Sequence, residues 1–205
     1  RNFKFDVINE ENFAAAKSFV ESTVNVLSDD VTILGLLETL NKQTNELYRH
    51  SVGVSFFSIL IAKNIKWSTP VNLVKVGMGG LLHDIGKSQI APEILNKSKT
   101  ELTPEEARLV DSHPIRGKAM LSHLPSIPTD VVQIILQHHE NSAGKGYPLG
   151  LKKDRIHPLS KIVAAANEFC HLAIDYNGQT ALPPVEAAQR FAALNKGLFE
   201  APIIE

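Results

Sequence analysis

Apolar residues recur at helical spacing through 11–28, 31–47, 47–65, 70–82, 104–122, 129–139, 159–173 and 184–195, and few stretches alternate with period two. The expected fold class is therefore all-α. Local chemistry agrees with the pattern: Ser68-Thr69-Pro70, Thr103-Pro104-Glu105-Glu106 and Pro128-Thr129-Asp130 each offer a capping side chain or an early proline where a helix should open. At 205 residues, 43% hydrophobic and 21% charged, the chain fits one medium-sized domain whose core is not limited by length. No internal repeat, low-complexity tract or long charge block interrupts it. A change of polarity near 40–47 separates an N-terminal helical segment, 1–40, read as the end of a separate or truncated region, from a main domain at 41–205.

Charge and cysteine content exclude several functions. A formal net charge of −1 and a pI near 6.8 provide no basic field for a nucleic-acid polymer, although a few local cations suffice for a small phosphate ester. The single cysteine, Cys170, rules out an internal disulfide and suits a reducing compartment, so cytoplasm is the default location. It lies on an apolar helical pattern and reads as a small buried hydrophobe. No apolar run approaches the roughly 20 residues that cross a bilayer. The start at Arg1, without methionine, leaves room for an upstream region.

The chemistry concentrates in histidines: His50 in ELYRHS, His83 in LLHDIGK, His113 in DSHPIRG, and His138-His139 in LQHHE. Imidazole and carboxylate together ligate divalent iron, manganese or zinc, and several helices can aim them into one interior pocket. The His83-Asp84 pair is the most informative piece. A carboxylate at the end of the apolar run VGMGGLLHDIGK is costly to bury without a metal or a cation. Neighbours about 100° apart on a helix can serve one ion or let the carboxylate bridge two. Gly79, Gly80 and Gly86 permit close approach around the pair, although helix termination accounts for Gly86 almost as well. Lys87, one turn after His83, can neutralise a phosphate oxygen. Glu46 stands four residues before His50, where it reads equally as a ligand or as a surface glutamate. His123, His157 and His171 read as ordinary hydrogen-bonded histidines, and Phe56, Phe57 and Trp67 as core or core edge. The stretch from Asn141 to His157, rich in glycine, lysine and proline, is a loop of a length that usually carries function.

HDIGK, HPIRG and HHE followed by GKGYPLGL, in this order across roughly 41–175, resemble the HD-GYP domains of the HD superfamily. The resemblance implies a helical bundle around a central metal site and hydrolysis of the phosphodiester bonds of cyclic di-GMP by a metal-activated hydroxide at a dinuclear centre. It makes His50, His83, Asp84, His113, His138 and His139 metal ligands, with Asp84 bridging two divalent ions, and gives Lys87 the role of contacting phosphate. Glu46 resembles the extra ligand of members that hold a third metal. Gly146-Tyr147-Pro148 corresponds to the GYP loop, which shapes the substrate site and offers a surface for a protein partner. A histidine-rich, carboxylate-bridged set without cysteine suits iron, then manganese, ahead of zinc.

The chain also departs from that pattern. Ala143 stands where the family loop has an aspartate, and Asn167, in AAANEFCHL, where an alanine-aspartate pair presents a carboxylate ligand. A neutral amide is a poorer ligand, leaving water or Glu168 to complete the site. Asp175-Tyr176-Asn177-Gly178-Gln179 replaces a segment that carries cations and an aromatic. Three readings follow: a working cyclic di-GMP phosphodiesterase, a catalytically weak domain that binds the dinucleotide or a protein, and an HD hydrolase of another phosphate ester.

Overall fold

Helix caps written in the sequence decide where the helices begin. A computed structural model describes residues 9–27, 33–42, 45–65, 67–175 and 179–204, without the side chains at 33, 34 and 36. Within them the helices are α1 (Glu10–Val26), α2 (Ile33–Asn41), α3 (Glu46–Asn64), α4 (Pro70–Leu82), α5 (Pro92–Leu95), α6 (Pro104–Asp111), α7 (His113–Leu121), α8 (Thr129–Gln137), α9 (Pro158–Ala173), α10 (Pro184–Leu194) and α11 (Ala201–Ile204). Short 3-10 turns occupy Ile85–Gln89 and Lys153–Arg155, and no strand forms among the described residues. Asn45 caps α3 by accepting from the Tyr48 N–H at 2.9 Å. Thr69 does the same for α4 ahead of Pro70, and Thr103 forms a reciprocal capping box with Glu106 at α6.

One expected helix divides. The 104–122 pattern is split at Ser112 into α6 and α7. Pro114 has no N–H to give the Val110 carbonyl, and its ring would crowd that carbonyl, so the first helix ends and Pro114 opens the second. The Tyr176–Gly178 part of the altered downstream segment lies outside the described residues. Asp175 just before it is tied in place: the buried Arg49 donates to its carbonyl from Nε at 3.0 Å, and the Ala181 N–H donates to its carboxylate at 2.7 Å.

The central helices α3, α4, α8 and α9 pack around one apolar core that includes Val54, Ile59, Val76, Ile134 and Ile162. Phe13, Val20 and Val24 of α1 belong to the same core, so buried packing runs continuously across residue 40. Phe57 is buried, Cys170 is fully buried, and Trp67 sits at the edge with 40% exposure. The terminal helix α10 covers α9, with Phe191 edge-on to Phe169 at 6.0 Å. No helix among the described residues is long and apolar enough to cross a membrane.

Glycine sets how closely the site-bearing helices approach. A Cβ on Gly80 would lie 2.8 Å from the Ser55 backbone, so α4 crosses α3 almost backbone to backbone. A Cβ on Gly86 would lie 2.0 Å from the His113 carbonyl, which brings the turn after α4 against the start of α7. Gly80→Ala is expected to force α3 and α4 apart and to destabilise by about 1–3 kcal/mol. In thermal unfolding this reads as a drop of about 2–4 °C per kcal/mol for a chain of this size. Val185→Ser, at a site 71% exposed, should stay within about 0.5 kcal/mol. Equal melting of the two variants would contradict the close crossing.

Candidate metal centre

Helix ends leave carbonyls without partners, and three of the histidines stand where such carbonyls are available. His83 follows the last residue of α4, and its Nδ1 lies 2.7 Å from the Gly80 carbonyl. His113 stands just beyond α6, and its Nδ1 lies 2.8 Å from the Val110 carbonyl that Pro114 cannot serve. His138 follows α8, with Nδ1 2.8 Å from the Ile135 carbonyl. A carbonyl only accepts, so each Nδ1 carries the proton and each Nε2 presents a lone pair.

All three lone pairs converge on Asp84. His83 Nε2 is 3.2 Å from Asp84 Oδ2, His113 Nε2 is 3.2 Å from Oδ1, and His138 Nε2 is 3.9 Å from Oδ1. His113 and His138 face each other Nε2 to Nε2 at 3.1 Å. Two imidazole lone pairs and a carboxylate cannot satisfy one another without a positive charge between them. His83 Nε2 and Asp84 Oδ1 are buried polar atoms with no hydrogen-bond partner. Burial pushes His138 well below the ordinary imidazole range, with neighbouring histidines acting in the same direction, so a proton is poorly held there. A divalent cation meets every one of these demands.

Two groups of side chains bring ligand atoms within 4.8 Å of one another: Asp84 with His113, His138 and His139, and Asp84 with His50 and His83. Asp84 is common to both. Burial opposes its charge, but the positive charge of Lys87 beside it works against that effect, and the carboxyl stays well below its usual range. Lys87 Nζ lies 2.7 Å from Asp84 Oδ2 with 16% of its side chain exposed, so the ammonium is at the centre and reachable. Burial likewise lowers His50 and His139 well below the ordinary value, keeping both neutral at pH 7.

The remaining expected residues fall into place around this centre. Tyr147 stacks on His139 at 4.4 Å and 19°, and meets His113 edge-on at 6.2 Å. Gly146 is required by space, since a Cβ would lie 2.2 Å from the His139 carbonyl. The Tyr147–Pro148 bond is cis. Glu46 is exposed in the first turn of α3 and lies outside both ligand groups, as does the exposed Glu168. Asn167 is buried, and its Oδ1 lies 2.9 Å from His50 Nε2. His157 pairs with Asp130 at 3.2 Å, as expected of an ordinary histidine, whereas His123 is exposed and not part of the core.

One contribution escapes a reading of the sequence. Glu140, 1% exposed, accepts from the Leu149 N–H at 2.7 Å and the Leu151 N–H at 2.8 Å. Asn141 Oδ1 accepts from the Ala143 and Lys145 N–H groups, each at 3.2 Å. Together they pin the loop that Ala143 leaves without its own carboxylate. The glutamate of HHE was a visible signal, but its partners lie nine and eleven residues away. His171 stacks its ring on that of His50 at 4.7 Å.

Comparison with known proteins agrees with this geometry. A family model described as the HD domain matches residues 36–199. The chain is similar to the cyclic di-GMP phosphodiesterase PA4108 of Pseudomonas aeruginosa, 33% identical over 85% of this chain and 42% of that protein. It is also similar to a cyclic di-GMP phosphodiesterase of Thermotoga maritima, 31% identical over 93% of this chain and 51% of that protein. The chain thus spans about half the length of these curated relatives. Among solved structures it matches Bd1817, an HDG"Y"P protein from Bdellovibrio bacteriovorus, with a TM-score of 0.78 and 27% identity, covering 96% of this chain and 62% of that one.

The buried imidazoles set the pH response of the metal-free chain. Below the ordinary value of 6.5 the unfolded chain takes up protons that His50, His138, His139 and His171 refuse when folded, His171 holding out to about 4. Stability should therefore fall as pH drops below 6.5, by up to about 1.4 kcal/mol per pH unit for each such histidine. Asp84, whose carboxyl is depressed, adds its own loss only below about pH 4, where the unfolded carboxyl protonates first. Urea midpoints measured in chelator from pH 7.5 to 5 check this; a flat profile would contradict it.

Proposed function

The chain belongs to the HD-domain family, and from that premise we propose that it hydrolyses the phosphodiester bonds of cyclic di-GMP at a dinuclear metal centre. The carrying observation is the convergence of His83, His113 and His138 lone pairs on the doubly shared Asp84. The substrate class rests on similarity to relatives named as cyclic di-GMP phosphodiesterases.

In this reading His50 and His83 would hold one ion and His113, His138 and His139 the other, with Asp84 in reach of both. Iron is preferred over manganese, since neutral imidazoles around a carboxylate suit it. Divalent metal bound there supplies Lewis acidity and a hydroxide nucleophile near neutral pH. The protein does the rest. The Nδ1–H bonds of His83, His113 and His138 to helix-end carbonyls keep their rings in one tautomer and one orientation. Lys87 shifts its ammonium from Asp84 to a non-bridging phosphoryl oxygen and stabilises the charge that develops there. The Tyr147 ring, seated on His139, forms one wall, and the loop pinned by Glu140 keeps that wall in place. Water adds to phosphorus, the P–O3′ bond breaks, and the proton released by water ends on the 3′-oxygen. The outer face of the Gly146–Pro148 loop, continued by the exposed Leu149, is the surface we assign to a protein partner.

A second reading, a domain that binds the dinucleotide without useful turnover, is favoured by one observation: Asn167 brings an amide, not a carboxylate, to His50. Both are tested by anaerobic reconstitution with iron(II) or manganese(II), followed by product analysis from cyclic di-GMP and from a panel of mononucleotides. Metal-dependent cleavage of the dinucleotide that is lost in the His83→Ala, Asp84→Ala double variant is expected. Turnover retained in that variant would contradict the proposal, metal-loaded protein without turnover would favour the second reading, and a preference for mononucleotides would move the activity to another phosphate ester. Lys87→Gln should keep its metal while losing about 10²–10³ in kcat, the scale of one preorganised electrostatic contact.

A further inference from the structure

We propose that the turn after α10, residues 195–200, is a strap that holds the 141–153 loop over the centre, with Phe199 and Glu200 as positioning residues for the Tyr147 wall. Its hold on the loop rests on hydrogen bonds and packing alone, and its effect on substrate rests on the phosphodiesterase reading above.

Ser142 lies at the base of the loop, where its two arms meet. The Ser142 N–H donates to the Leu198 carbonyl at 2.9 Å, the Ser142 carbonyl accepts from the Lys153 N–H at 3.4 Å, and Ala143 pairs with Lys152 beside them. Glu140 and Asn141 fasten the loop from within, whereas the Leu198 carbonyl reaches it from a segment remote in sequence. The His139 carbonyl accepts from the Tyr147 N–H at 3.3 Å, so the stretch held at Ser142 is continuous with the one on which the Tyr147 ring sits.

The strap is itself anchored to α9. Beyond α10 the buried Asn195 donates from Nδ2 to the Phe191 carbonyl at 3.0 Å, and its own carbonyl accepts from the Leu198 N–H at 3.0 Å. Gly197, with φ 81°, turns the chain back; a Cβ there would meet nothing within 4 Å, so conformation and not space calls for glycine. The turn delivers Phe199 into a buried cluster with Ala164 and Ala165 of α9 and with Phe191, whose ring lies 6.2 Å away. Glu200, next in the chain, pairs with Lys161 of α9 at 2.5 Å. These two contacts follow directly on the Leu198 carbonyl and fix where it stands. A loop already held in place has less freedom to lose when a ligand arrives, so the strap favours substrate binding. Neither ligand group includes a strap residue, so the metals do not depend on it.

Hydrogen–deuterium exchange of the full chain reads the loop independently of turnover. E200K sets two cations against each other where Glu200 is 40% exposed, and should speed exchange of the Ser142, Leu149 and Leu151 amides by about three- to tenfold, the scale of reversing an exposed ion pair. F199A, which empties a buried site, should exceed that, and E200K carries the comparison if F199A melts. The K161E/E200K pair restores the attraction with its signs exchanged and should return the loop to wild-type exchange. V185S, at an exposed position of α10, should match the wild type. After reconstitution with iron(II), E200K should hold as much metal as the wild type, while its KM for cyclic di-GMP rises several-fold and kcat changes less. Wild-type loop exchange in E200K and F199A would overturn the strap, as would faster exchange in E200K that spreads equally to α3 and α4 or persists in K161E/E200K. A loosened loop with an unchanged KM would overturn its role at the site. A wild-type chain without turnover would overturn the phosphodiesterase reading and leave the exchange comparison to decide the strap.

Discussion

A carboxylate 4% exposed, ringed by imidazole lone pairs, is the constraint on which the rest of this protein depends. Left uncompensated, a buried charge of this kind costs several kcal/mol. Asp84 is compensated from one side by Lys87, and the imidazoles on the other side are placed to hold a cation. To bring those imidazoles in, α4, α6 and α8 must all end at nearly the same point. Helix ends meeting inside a bundle leave unpaired carbonyls in a place water barely reaches, and the histidines resolve that difficulty by giving those carbonyls their Nδ1 protons. One arrangement thereby satisfies the backbone and aims the opposite nitrogen of each ring at the carboxylate.

Packing follows from this convergence. Gly80 lets α4 lie on the α3 backbone and Gly86 lets the next turn lie on the start of α7, so the ring nitrogens can approach within 3–4 Å of Asp84. The apolar faces of α3, α4, α8 and α9 enclose the centre and exclude the solvent that would otherwise hydrate it. That exclusion lowers the histidine pKa values and keeps the ligands neutral in the range where a metal competes with protons. The loop after His139 closes the remaining side, with the Tyr147 ring as its contact and Glu140 as its anchor.

Much of this was legible in the sequence. Helical periodicity and caps located most of the helices, and the ordered histidine motifs identified the residues that meet in space. Failures of the reading share one physical source. Periodicity carried the 104–122 pattern straight through Ser112, because a proline at the second position of a new helix looks like one inside an old one until the backbone bonds are seen. Ala143 suggested a weakened loop, yet the support comes from Glu140 and Asn141, whose bonds to residues up to eleven positions away follow no local spacing. The stacking of His171 on His50 was likewise invisible, because a helix of alanines and one cysteine gives no sign of which face meets His50. Glu46, which read equally as a ligand or a surface glutamate, has its side chain exposed in the first turn of α3.

The central claim is that Asp84 is shared between two cations held by helix-end histidines. Crystals of the chain grown anaerobically with iron(II), with anomalous diffraction collected on both sides of the iron edge, test it most directly. The account predicts two anomalous peaks flanking the Asp84 carboxylate, one beside His50 and His83 and the other among His113, His138 and His139, with Nδ1 of His83, His113 and His138 still on their carbonyls. A fully ordered Asp84 with no anomalous density beside it, or iron bound only elsewhere, would contradict it.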